Sequence, residues 1–258
     1  MASDLPAFPT WQADPVWHCI DLLSDVHLHA DQPLTFAAWR DHLLNTKAPA
    51  VLMLGDVFEL WVGDDARHAG FEQQCLRVLR EASTRRFLAF MPGNRDFLVG
   101  DALLADADVT RLADPSVLLA FGSRWLLSHG DALCVADTDY QRFRQQVRGA
   151  DWQQAFLARP LAERQRQARA MREASSAHQA AMAPGDWSDV DAAEAVRWLQ
   201  AADAPVLIHG HTHQPGRHAL APGRERRVLG DWAFDEQPRR AACLRLSATG
   251  LQPLDLAA

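Results

Sequence analysis

Val51-Leu52-Met53-Leu54-Gly55-Asp56 decides how the chain is read. A short apolar run that stops at Gly-Asp describes a buried strand ending in a polar turn. The same grammar recurs on both sides of it. His18 to Leu23 runs into Ser24-Asp25-Val26-His27, and Phe87 to Met91 into Pro92-Gly93-Asn94-Arg95-Asp96. Arg124 to Leu127 runs into Ser128-His129-Gly130-Asp131, and Pro205 to Ile208 into His209-Gly210-His211-Thr212-His213. Between the early runs lie helical spacings, Phe36, Trp39, Leu43 and Leu44, then Phe71, Cys75, Leu76 and Leu79. Strand and helix in alternation indicate an α/β fold. Val117 to Leu127, broken at Phe121-Gly122-Ser123, reads as a β-hairpin, and Arg227 to Leu229 and Ala242 to Leu246 as further strands. A mixed sheet is expected.

With 258 residues, 48% of them hydrophobic, the chain has enough apolar material for a sizeable core, which excludes disordered and fibrous classes. Lys+Arg is 26 against Asp+Glu 33, a net charge of -7, so a general nucleic-acid binder is excluded and an anionic partner must be held locally. No apolar run approaches the ~18 residues of a membrane span. Met1 to Trp17 lacks a basic segment followed by a continuous apolar one, and a cytoplasmic location is expected. Cys19, Cys75, Cys134 and Cys243 are far apart and read as core thiols.

Lys47 is the only lysine, so nearly all basic charge is arginine, the side chain shaped for bidentate contact with phosphate. Between Thr138 and Ala183 strand signals vanish. That stretch holds eight arginines and four acidic residues on good helix formers, with Tyr140, Phe143 and Val147 on one face. It reads as a helical insertion, 138–183, in a core made of 17–137 and 184–258, with 1–16 as an N-terminal extension.

All five polar clusters follow strands, which is where open α/β sheets place ligands. They offer carboxylate, imidazole and amide but no thiolate, a set suited to Mn²⁺, Fe²⁺ or Zn²⁺. Residues i and i+2 of extended backbone point the same way, so Asp25 with His27, and His211 with His213, can each grip one ion. Seven candidates, Asp25, His27, Asp56, Asn94, His129, His211 and His213, exceed what one ion takes from protein. Two ions are implied, with a carboxylate such as Asp56 able to bridge them. Arg95 follows Asn94; an arginine is no general acid at neutral pH, but it can neutralise a transferring phosphoryl group and its leaving oxygen. That favours a leaving group needing no proton, such as the phosphate of a pyrophosphate. Asp96 either holds Arg95 or caps a turn, Trp61 reads as core, and His209 as a packing or positioning residue.

In the order D-x-H, G-D, G-N-[RH]-[DE], H-G, G-H-x-H, spanning residues 24 to 213, the chain resembles the calcineurin-like metallophosphoesterases. That resemblance implies two mixed sheets flanked by helices, an αββα sandwich. It assigns Asp25, His27, Asp56 and His213 to one ion, and Asp56, Asn94, His129 and His211 to the other. The longer stretches Gly55 to Asp65 and Gly93 to Gly100 resemble the members that act on UDP-2,3-diacylglucosamine in lipid A biosynthesis. This implies hydrolysis to 2,3-diacylglucosamine 1-phosphate and UMP by a hydroxide bridging two Mn²⁺ ions and attacking the α-phosphorus. Asp56, Asn94 and Arg95 would be catalytic. Asn94, Arg95, Asp137, Tyr140, Ser175, Gln179, Met182 and His211 would meet the substrate, although the family has Asn and Lys where this chain has Gln179 and Met182. The resemblance also implies a peripheral position on the inner leaflet of the cytoplasmic membrane. The rival readings are a two-metal phosphodiesterase or phosphatase for another nucleotide, and a binding module without ions, which would leave gaps among the ligand positions.

Overall fold

The computed structural model describes residues 5–181 and 189–257, with side chains for all of these but 174–181. In chain order the elements are β1 (Thr10–Gln12), β2 (Cys19–Leu23), α1 (Pro33–Asn45), β3 (Ala50–Leu54), α2 (Gly70–Ser83), β4 (Phe87–Met91), α3 (Asp101–Ala107), β5 (Thr110–Arg111), β6 (Ser116–Ala120) and β7 (Ser123–Leu127). There follow α4 (Thr138–Arg148), α5 (Ala150–Leu157), α6 (Leu161–Ala181), α7 (Ala192–Ala201), β8 (Val206–His209), β9 (Gly216–Ala221), β10 (Arg224–Val228), β11 (Ala242–Ser247) and β12 (Gly250–Asp255).

Two six-stranded mixed sheets form, ordered β1-β6-β7-β8-β10-β9 and β12-β11-β2-β3-β4-β5. Strands β2, β3 and β4 run parallel, while β11 is antiparallel to β2. Alternation within each strand explains the layers. Ile20, Leu22, Leu52 and Leu54 face the other sheet and meet Leu118, Leu127 and Ile208, whereas Leu23, Val51 and Met53 face outward to Trp39, Leu43, Cys75 and Leu79. Strands buried on both faces are apolar at nearly every position, Asp21 of β2 being an exception, which is why they read as near-continuous runs. On the far side, α7 packs Trp198 and Leu199 against Val117, Leu126 and Leu207. The result is the expected helix-sheet-sheet-helix sandwich. The four cysteines are buried and unpaired.

Strands β1, β5, β9 and β12 escaped the sequence reading, and β10 begins earlier than the expected Arg227. The first four are edge strands, exposed along much of their length, so they carry no apolar run, and β12 even contains Pro253; β10 lies between β8 and β9, but its charged Arg224 to Arg227 hide its start. Residues 10–12, within the expected N-terminal extension, pair in parallel with β6. Residues 138–181 form α4, α5 and α6, and Phe156 and Ala168 of the last two join the helical layer over β2 to β4.

Candidate active site

The ligand-bearing turns are bound to one another before any side chain is considered. The turns after β2 and β3 run side by side, with Asp25 N–H on Gly55 O (3.1 Å), His27 N–H on Asp56 O (3.0 Å) and Leu28 N–H on Val57 O (2.9 Å). The turns after β7 and β8 are joined by Gly210 N–H on His129 O (2.9 Å), and His211 N–H reaches Asp25 Oδ2 at 3.0 Å, which closes the gap between sheets. Two glycines make this approach possible. A Cβ on Gly93 would overlap Asp56, and one on Gly210 would overlap Asp25 and Ser24. Asp25, His27, Asp56, His211 and His213 all hold left-handed backbone, φ 52° to 66°. Such conformations cost about 1–3 kcal/mol per non-glycine residue and persist where surrounding structure over-determines them, commonly at functional sites.

The side chains then converge. His27 Nε2 and His213 Nε2 face each other at 3.2 Å beside Asp25 Oδ1, which is 3.3 Å from His213 and 3.9 Å from His27. Asn94 Oδ1 lies 2.8 Å from both His129 Nε2 and His211 Nδ1. His129 Nε2 is also 3.6 Å from Asp56 Oδ1. All seven candidates are thus brought into one site, in two groups joined by Asp25, which lies with His27 and His213 and also with Asp56 and His129.

Whether divalent ions fit here can be judged from the atoms that face one another. His129 Nδ1 is 3.0 Å from the Leu54 carbonyl, which only accepts, so the ring proton belongs there and Nε2 presents a lone pair toward Asn94 Oδ1. Lone pairs aimed at lone pairs, with Asp25 and Asp56 nearly inaccessible beside them, call for cations. The electrostatics agree. Burial works against a charged His129, yet the Asp56 and Asp25 carboxylates raise it to about 9, which marks a point where the surrounding charges favour a cation. Burial and the His129 charge lower His211 to about 4. The oxygen and nitrogen donors suit hard or borderline divalent ions.

Around this centre stand residues that sequence reasoning left unassigned. Glu59 Oε2 is 3.1 Å from His27 Nδ1, and Arg172 of α6 contacts Glu59 Oε1. Asp131 accepts Tyr140 Oη (2.7 Å) and Arg144 Nε (2.8 Å), while Arg148 donates to Gly93 O (2.9 Å), so α4 is tied to two ligand turns. Ser128 Oγ and His129 N–H both donate to Asp114. Glu59 and Asp131 belong to quoted motifs, but no spacing reveals which partner a carboxylate faces.

Among the expected substrate contacts, Arg95 donates its backbone N–H to Asp56 Oδ1 (2.8 Å), and its guanidinium makes no hydrogen bond or ion pair among the described residues. Its charge reaches Glu59. Tyr140 stacks on His211 with ring centres 6.0 Å apart. Asp137 caps α4 by accepting Tyr140 N–H at 2.9 Å. Ser175 and Gln179 fall on α6 with side chains outside the described set, and Met182 lies outside the described residues. Asp96 settles on the capping alternative, accepting the backbone N–H groups of Gly93, Val57, Phe58 and Asp56 at 2.8 to 3.3 Å. It clamps the turns after β3 and β4 together. Burial and the Asp56 charge push its carboxyl up to about 7 against those donors. Trp61 is buried against Phe58, as expected of a core residue. His209 is buried, with Nδ1 2.9 Å from Gly210 O, and burial lowers it to about 4.

A sandwich whose strand ends converge on carboxylate, imidazole and amide donors defines a metal-dependent phosphoesterase. Residues 20–215 match the calcineurin-like phosphoesterases, and the chain belongs to that family of hydrolases. It is 43% identical to the UDP-2,3-diacylglucosamine hydrolase of Cellvibrio japonicus, over 89% of this chain and 95% of that one. It is 46% identical to the enzyme of the same name from Ralstonia nicotianae (87% of each chain), and 42% identical to that from Chromobacterium violaceum (92% and 98%).

Proposed function

We propose that the protein hydrolyses the pyrophosphate bond of UDP-2,3-diacylglucosamine, giving 2,3-diacylglucosamine 1-phosphate and UMP, with two Mn²⁺ ions bound. The observation that carries this reading is a pair of donor groups sharing Asp25, beside an arginine whose guanidinium has no hydrogen-bond or ion-pair partner among the described residues, and beneath an arginine-bearing helical layer. The names of relatives at 42–46% identity support the substrate.

Asp25, His27, Asp56 and His213 would hold one ion, and Asp56, Asn94, His129 and His211 the other. When bound, the ions lower the pKa of water and neutralise phosphoryl oxygens. The protein does the rest. Arg95 is free to pair with the diphosphate and to offset charge on the leaving oxygen. Because it cannot donate a proton at neutral pH, the site suits a leaving group that departs as an anion. A water-derived oxygen bonds to the α-phosphorus, the bond from that phosphorus to the bridging oxygen breaks, and the acylated sugar phosphate leaves. Tyr140, ordered by Asp131 and stacked on His211, forms one wall of the substrate site. Val135, Phe143 and Leu157 are exposed large apolar residues before and within α4 and α5, and each could meet an acyl chain. An acylated substrate held by one leaflet gives the reason for a peripheral position on the cytoplasmic face of the inner membrane. No helix among the described residues is long and apolar enough to cross a membrane.

The test is incubation with UDP-2,3-diacylglucosamine in ¹⁸O-water, with and without Mn²⁺, followed by mass spectrometry of both products. The label is expected in UMP and only with the metal present; label in the lipid phosphate reverses the direction of attack, and no cleavage rejects the substrate. Arg95→Ala is expected to lower kcat by about 10²-fold, the size of losing one preorganised donor to developing charge. A change confined to KM would make Arg95 a binding group alone.

A further inference from the structure

The histidines of the site fix their ring protons in different ways. His129 gives Nδ1–H to a backbone carbonyl, Leu54 O, an acceptor that no substitution of Leu54 removes. His27 has no such carbonyl. Its Nδ1 lies 3.1 Å from Glu59 Oε2, off the ideal line of the N–H, and has no other partner among the described residues. On the other side of the ring, Nε2 points to His213 and Asp25. Glu59 is 8% exposed, which leaves it little water to turn to, and its backbone N–H on Leu28 O (3.2 Å) ties it to the turn that carries His27. Its other oxygen receives Arg172 Nε from α6, 113 residues along the chain. Arg172 thereby links a second helix of the insertion, α6, to a histidine of the centre.

We infer that Glu59 is a positioning residue: by accepting Nδ1–H of His27 it holds Nε2 as the donor atom for a divalent cation, and Arg172 holds Glu59 in that pose. This rests on the reading of His27 as a metal ligand given under the proposed function. Carboxylate partners of this kind orient ligating histidines and raise their basicity, and their loss weakens metal binding by about 10–100-fold. The seating of α6 and the geometry of one ion site become a single unit. Arg172 and Glu59 also satisfy each other: an arginine only donates and a carboxylate only accepts, so the pair enforces the direction of the Glu59–His27 bond. A glutamine at position 59 would turn its carbonyl to Arg172 and its NH₂ to Nδ1, favouring the tautomer with the proton on Nε2.

The experiment uses the full chain and reads the ring directly. Long-range ¹H–¹⁵N spectra of metal-free wild-type protein at pH 8 are expected to show His27 carrying a proton on Nδ1; a ring whose only proton is on Nε2 overturns the inference without any variant. Calorimetric titration with Mn²⁺ follows. Glu59→Gln is expected to bind one of two ions about 10–100-fold more weakly, with His27 moved to the Nε2–H tautomer, and Arg172→Ala to show part of the same weakening. Glu59→Asp, which keeps the acceptor, should recover part of the affinity. Wild-type affinity and tautomer in Glu59→Gln would sink the positioning role while leaving the metal reading intact, whereas a wild type that binds no Mn²⁺ sinks the metal reading itself.

Discussion

Asp56→Asn is expected to reduce kcat/KM by about 10³-fold or more, several kcal/mol of lost transition-state stabilisation, while the protein stays folded. Asparagine tolerates the left-handed backbone at this position (φ 52°) and keeps an oxygen for the Arg95 N–H, so the fold loses little. What disappears is a buried negative charge in the donor cluster, 3.6 Å from His129 Nε2. Steady-state kinetics, circular dichroism and Mn²⁺ calorimetry together check the claim. Turnover within tenfold of wild type would remove Asp56 from the chemistry.

Asp21→Ala should act on stability instead, lowering it by about 3 kcal/mol, the low end for breaking a buried ion pair, or roughly 6–12 °C in Tm. Asp21 is buried on β2 and receives Thr46 Oγ1 (2.6 Å) and Arg245 Nε and Nη2 (2.7 and 2.9 Å), with His42 Nε2 at 3.4 Å. Cys243 completes a group of potential ligand atoms. Arg245 already supplies the positive charge there, so the cluster ties β2, β11 and the end of α1 together and has no need of an ion. Burial alone would raise the Asp21 carboxyl, but the neighbouring His42 ring and the hydrogen bonds from Arg245 and Thr46 outweigh it and hold the group well below the ordinary carboxylate range. A depressed folded value stabilises the protein above the unfolded value of about 4, and this contribution is lost as pH falls below that toward the folded value. Urea midpoints of metal-free protein should therefore fall between pH 5 and pH 3, and fall less in Asp21→Asn. Equal slopes in the two proteins would assign the acid sensitivity elsewhere.

The sandwich was legible because its central strands are buried on both faces and so announce themselves as unbroken apolar runs, such as Val51 to Leu54, that end abruptly in polar turns. The seven convergent donors were legible for the same reason: the ends of the interior strands that carry them meet at one end of the two sheets. Edge strands such as Gly216–Ala221 were not, since only a neighbour's hydrogen bonds make them strands.

Residue types and their positions after strands are properties of the local chain, and these determined the fold class and the identity of the donors. Tertiary structure alone decided that Asp25 joins both donor groups, that Asp96 clamps backbone rather than Arg95, and that Glu59 stands between His27 and Arg172. A side chain's partner depends on direction at distances of a few ångströms between segments far apart in the chain, and spacing along a sequence carries no record of that direction.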